Sequence, residues 1–153
     1  MARTEDLPSS MRENLMALPC PRFEDAPFIG RRSLDTQSVA LISSAGIAHR
    51  NDPPFAPGAY DYREIDERTP DADILMSHVS VNFDRTGFQQ DLEVVLPRQR
   101  LRDMADDGVI GSAAASHYSF MGATDPALME PSARELATEL KHRQITAAVL
   151  LPV

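Results

Sequence analysis

Ile145-Thr146-Ala147-Ala148-Val149-Leu150-Leu151-Pro152-Val153 is a short apolar run that follows an amphipathic helical pattern and shows no alternation. Such a run reads as a parallel strand buried on both faces. A parallel strand preceded by a helix implies an α/β architecture, and in an open α/β sheet the chemistry lies just past the carboxyl ends of the strands. The sequence therefore reads as an active-site scaffold, and the reactive residue is expected beyond the stretch quoted.

Working outward, a second apolar run, Ser38-Val39-Ala40-Leu41-Ile42-Ser43-Ser44, predicts another strand. Small residues and then a polar loop, Ile47-Ala48-His49-Arg50-Asn51-Asp52, follow it, as in a ligand-facing βα connection. Ser43-Ser44-Ala45-Gly46 has the small residues to admit an anion beside a following helix, but it is no G-x-G-x-x-G. Further strands are expected at Ala72–His78 and weakly, as an edge, at Tyr60–Ile65; Ser112–Ser116 reads as a strand or turn. Residues 88–96 are too crowded with apolar side chains for one period. A helix is expected over Arg98–Asp107, between Pro97 and Gly108, with Leu101, Met104 and Ala105 inward. Pro131 opens another, to about His142; Asp125-Pro126 starts a turn or a first helical turn. The fold expected is a single three-layer α/β domain with a mainly parallel sheet, Rossmann- or flavodoxin-like, over residues 38–153. Residues 1–37 form a loop-rich N-terminal arm with a short helix over 9–18, and prolines cluster from residue 8 to residue 57.

Composition narrows the function. A net charge of −8 argues against a nucleic-acid surface. No apolar run approaches the ~20 residues of a membrane span, and the N-terminus lacks a signal-peptide core, so a cytoplasmic protein is expected. The single cysteine, Cys20, lies between two prolines with no basic neighbour and reads as an idle or buried thiol. His49, His78 and His117 each fall near the end of a strand candidate, with Asp52, Asp84 and Asp91 on neighbouring loops. Such a set can move protons, orient a carboxylate or bind a metal. The spacing fits no compact ligand motif, so no metal ligand is assigned.

Several segments in order resemble the selenoprotein B family of glycine, sarcosine, betaine and D-proline reductases. They include Val39–Ile47, Tyr62-Arg63-Glu64-Ile65, Ser77-His78, Asn82–Arg85, Asp91–Pro97, Arg100–Asp103 and Gly108–Gly111. The closest matches are His117-Tyr118-Ser119-Phe120-Met121-Gly122 and Ala147–Val153, so the resemblance runs from about residue 38 to the end. It implies a redox-active selenocysteine or cysteine just beyond Val153, no cofactor in the chain as given, and reductive C–N cleavage next to a carboxylate. A selenocysteine codon read as stop would end a sequence at this point; a short relative lacking the redox half would too. The resemblance also implies a small amino acid or amine substrate and a partner reductase subunit. Under it, His78 or His117 would hold or give a proton, with Asp84 orienting a histidine or binding an ammonium. Arg50 or Arg85 would pair with the substrate carboxylate, and His49, Asp91 and Ser119 would line its site. An uncovered apolar face beside the last strand would favour a homo-oligomer. A second reading is a non-catalytic α/β ligand-binding or partner subunit; a third is a His/Asp metal-dependent hydrolase.

Overall fold

The computed structural model describes residues 4–19, 22, 30, 32–80 and 85–153. Cys20 and Asp84 lie outside them. In chain order the elements are helix α1 (Ser9–Ala17) and strands β1 (Ser38–Ser43), β2 (Ile47–His49), β3 (Tyr62–Asp66) and β4 (Ile74–Met76). Helices α2 (Thr86–Gln90) and α3 (Arg98–Asp106), strands β5 (Ser112–Ala113) and β6 (Ser116–Phe120), helix α4 (Pro126–His142) and strand β7 (Ala147–Leu151) follow.

The apolar run of β1 forms the middle of the sheet. On one side it pairs in parallel with β7, from Val39↔Ala147 to Ser43↔Leu151. On the other it pairs in parallel first with β5 (Ser38↔Ser112) and then with β6 (Ile42↔Tyr118). Thus β5 and β6 lie along one line, broken at Ala114-Ala115. β3 runs antiparallel along the outer side of β6, from Tyr62↔Phe120 to Asp66↔Ser116. The sheet is mainly parallel and the domain α/β, as the sequence implies.

Each face of the sheet is covered, which produces three layers. Leu136 of α4 packs on Ala40, Ala114, Tyr118 and Phe120. On the opposite face Leu101 of α3, with Leu92, Val95 and Leu96, packs on Val39, Leu41 and Ile65, beside Ile47 and Ile74. The crowded stretch 88–96 resolves into the end of α2 and a tight 3-10 turn, Leu92–Val94, whose Glu93 N–H donates to the Asp91 side chain (2.9 Å). Met104, expected inward on α3, is exposed, whereas Arg98 is buried. The Arg98 guanidinium donates to the carbonyls of Glu67 (3.1 Å) and Thr69 (2.9 Å) and pairs with Asp71.

Three expectations need correction. β7 is not a strand buried on both faces: among the described residues it has one neighbour, and Val149 is 41% and Leu150 70% exposed. An apolar run records a preference for burial, not which strand of the sheet carries it. No helix follows β1, and Ile47–His49 is not loop: β2 pairs antiparallel with β4 in a separate ribbon, Ile47↔Met76 to His49↔Ile74, and the polar turn begins only at Arg50. Helix α4 starts at Pro126, with Asp125 as its cap accepting from the Ala127 N–H (2.9 Å), so Pro131 lies inside it.

Candidate functional site

Because β1, β6 and β7 are parallel, their carboxyl ends reach one edge, with Ser43, Ser119 and Leu151 in register. An apolar groove of about 540 Å3 opens there, lined by Ile42, Phe120, Pro126, Met129, Leu150 and Leu151 among others. Ser44 fastens the exit of β7. Its backbone N–H donates to the Leu151 carbonyl (3.0 Å), and its Oγ accepts from the Val153 N–H (2.9 Å). Its own carbonyl accepts from the Gly122 N–H (2.9 Å). A Cβ at residue 122 would stand 2.6 Å from that oxygen, so only glycine permits the approach. Gly46 is held likewise: its φ is +62°, its N–H donates to the Phe120 carbonyl (2.9 Å), and a Cβ there would lie 3.1 Å from the His78 Cα.

The three histidines do not share a rim. His78 comes nearest the carboxyl edge, through Gly46 and through the Ser77 N–H, which donates to the Gly46 carbonyl (2.8 Å). Its side chain is buried, and its Nδ1 accepts from the Ser80 N–H (3.2 Å). Burial, then the nearby Arg85 cation, holds its pKa below the usual histidine value. Arg85 donates to the His78 carbonyl (2.5 Å), so these two predicted residues are brought together.

His117 lies inside β6, two residues short of the edge, and is fully buried. Its Nδ1 accepts from the Leu41 N–H (3.1 Å) and its Nε2 meets Glu67 Oε2 (2.7 Å). Glu67 in turn pairs with Arg102. Burial pushes the His117 pKa down, against the pull of Glu67. Both ring nitrogens are therefore committed to packing.

His49 lies at the far end of the β2–β4 ribbon, paired with Ile74, and its Nδ1 accepts from the Asn51 N–H (3.1 Å). Arg50 is tied to Asp73 (2.7 Å) and to the Ala72 carbonyl. Asp91 caps the turn before α3, and the Ser119 hydroxyl accepts from the buried Ile47 N–H (3.0 Å). Among the described residues no group of three His, Cys, Asp or Glu is placed to hold a metal ion.

The family model described as glycine/sarcosine/betaine reductase selenoprotein B matches residues 14–152. The chain belongs to that selenoprotein B family. It is 26% identical over 122 residues to the D-proline reductase subunit gamma of Acetoanaerobium sticklandii, covering 78% of this chain and 50% of the relative. It is 27% identical over 143 residues to the glycine reductase complex component B subunit gamma of Symbiobacterium thermophilum, covering 86% of this chain and 32% of the relative. The chain thus spans about half the length of one curated relative and about a third of the other. No solved structure matches it.

For this selenoprotein B family member, reading the residues in order misses Glu67 and Gly122, and it marks Ser44 only as part of a small-residue turn, not as the holder of the β7 exit. Ser44 and Gly122 lie inside segments that carry the family resemblance, but their contacts join chain ends that only the sheet brings together. Glu67 stands 50 residues from the histidine it meets, and no local pattern marks it.

Proposed function

We propose that this chain is the α/β scaffold of a subunit in a reductase complex that cleaves a C–N bond next to a carboxylate. The observation that carries this reading is the convergence of β1, β6 and β7 on one apolar groove, at the exit that Ser44 holds. A selenol or thiol placed there would supply the redox chemistry, and an apolar wall would exclude water from it. His78, kept neutral at pH 7 by its burial, accepts from the Ser80 N–H at Nδ1 and so carries its ring proton on Nε2, suited to hold or give a proton at that edge. Arg85 steadies the His78 loop and adds a cation toward a carboxylate substrate. The substrate class is a small amino acid or amine, the compartment cytoplasmic, and the assembly includes a partner subunit and a second copy of this chain.

The test begins with the gene. The codon after Val153 is read, and the full frame is expressed with its neighbouring subunits. Glycine, sarcosine, betaine and D-proline are then assayed for dithiol-dependent C–N cleavage. Turnover of one of them is expected. A frame closing on an ordinary stop, with no thiol-dependent activity, would replace this reading with that of a non-catalytic partner subunit. That second reading is favoured by His117, Ser119 and Asp91, whose polar groups all serve the fold.

A further inference from the structure

The Ser44 hydroxyl, directly after β1, hydrogen-bonds the backbone beyond β7. It accepts from the Val153 N–H at 2.9 Å and stands 3.5 Å from the carbonyls of Leu151 and Val153. Ser44 is itself anchored twice through its backbone, by the Leu151 carbonyl (3.0 Å) and by the Gly122 N–H (2.9 Å). The closeness of Gly122, where no Cβ fits, leaves the Ser44 carbonyl little room to shift. A hydroxyl so fixed dictates where the Val153 amide points. Without it, nothing in the ladder holds that amide, because β7 pairs with β1 only as far as Leu151.

From this geometry we propose that Ser44 is a positioning residue: its hydroxyl aims the chain leaving β7, and so sets the environment of the residue that follows Val153 in longer family members. The proposal rests on the reading that a selenol or thiol stands at that point. Ser44 does not touch substrate in this scheme; it acts through the Val153 backbone. A nucleophile kept in one orientation at the carboxyl edge meets the same surroundings at every turnover, whereas a swinging one spends its time in solvent and titrates as a free thiol. Threonine preserves the hydroxyl and alanine deletes it.

The experiment uses the full reading frame, with cysteine in place of any selenocysteine, as wild type, Ser44→Ala and Ser44→Thr. Circular dichroism first establishes that all three fold. The pH profile of iodoacetamide alkylation at the thiol past Val153 is then measured, together with hydrogen exchange of the Val153 amide. Ser44→Ala is expected to move the alkylation midpoint toward the free-cysteine value of about 8.5, change the alkylation rate at neutral pH by about tenfold and speed Val153 exchange. Ser44→Thr is expected to restore all three. A folded Ser44→Ala protein with the wild-type midpoint overturns the role of Ser44 and leaves the reductase reading standing. A frame without cysteine or selenocysteine past Val153 overturns both.

Discussion

At the scale of single residues, His117 stands in for a missing piece of backbone. The line of β5 and β6 breaks at Ala114-Ala115, and the Leu41 N–H of β1, facing that break, finds the His117 ring in place of a carbonyl. Since Nδ1 accepts there, the ring proton sits on Nε2 and is donated to Glu67. Removing the ring as His117→Ala leaves a buried N–H and a carboxylate without this partner. A loss of about 2–3 kcal/mol in urea-unfolding stability is expected. The same burial predicts a pH dependence. His117 and His78 both have native pKa values below the ordinary 6.5, so the unfolded chain takes up protons first as the pH falls. Their stabilisation is complete above about 6.5 and is lost as the pH drops below it toward the native values. Glu64, whose carboxyl is held down chiefly by its hydrogen bond to Arg143, adds a loss of the same sign only below its ordinary 4.5. Urea midpoints should therefore fall between pH 7 and 5, with a shallower slope in His117→Ala; an unchanged slope would contradict the assignment. The sequence made His117 conspicuous but hid its role, because Leu41 lies 76 residues away and Glu67 lies 50.

At the scale of elements, β1, α3 and α4 were legible: an apolar run marks β1, Pro97 and Gly108 bracket α3 around Leu101, and Leu136 and Leu140 share one face of α4. β2 was not, because three residues are too few to show a period; β4 was expected within Ala72–His78, but its antiparallel pairing with β2 is decided by the tertiary fold. In α4 two prolines compete to mark the start. Asp125-Pro126 wins because a capping carboxylate followed by proline at the first position satisfies the helix end, while Pro131 merely lies inside it. That leaves the Ala127 carbonyl without its intrahelical donor at residue 131. Residue 131 is exposed, so a side chain there packs against little. Pro131→Ala restores the donor and is expected to raise stability by about 1–3 kcal/mol, read as a higher melting temperature. Gly122→Ala should do the opposite: its Cβ would strike the Ser44 carbonyl, an overpacking cost of about 1–3 kcal/mol in the same assay.

At the scale of the whole molecule, among the described residues β3 and β7 are the outer strands of the sheet; Tyr62 of β3 packs on Tyr118 and Phe120, whereas the apolar Leu150 of β7 is exposed. The class of fold was legible from the two apolar runs, but their neighbours were not, and β7 was expected within the sheet. Its place at the edge has a consequence for assembly. Residues 144–153 carry no charged side chain in a chain of net charge −8. The Ser44 N–H reaches the Leu151 carbonyl, so alternation turns the backbone of Ala148 and Leu150 outward. No proline interrupts β7 and no charge guards it, although edge strands that stay single are usually protected by one or the other. Two copies can join there around a twofold axis, each covering the other's Leu150, without bringing like charges together. Light scattering of the purified chain should therefore show a concentration-dependent homo-oligomer. Leu150→Lys, which forfeits about 1.5–3 kcal/mol of burial and sets two cations face to face, should weaken it by tenfold or more at unchanged circular dichroism. A wild-type chain that stays monomeric across that concentration range would overturn pairing of two copies at β7.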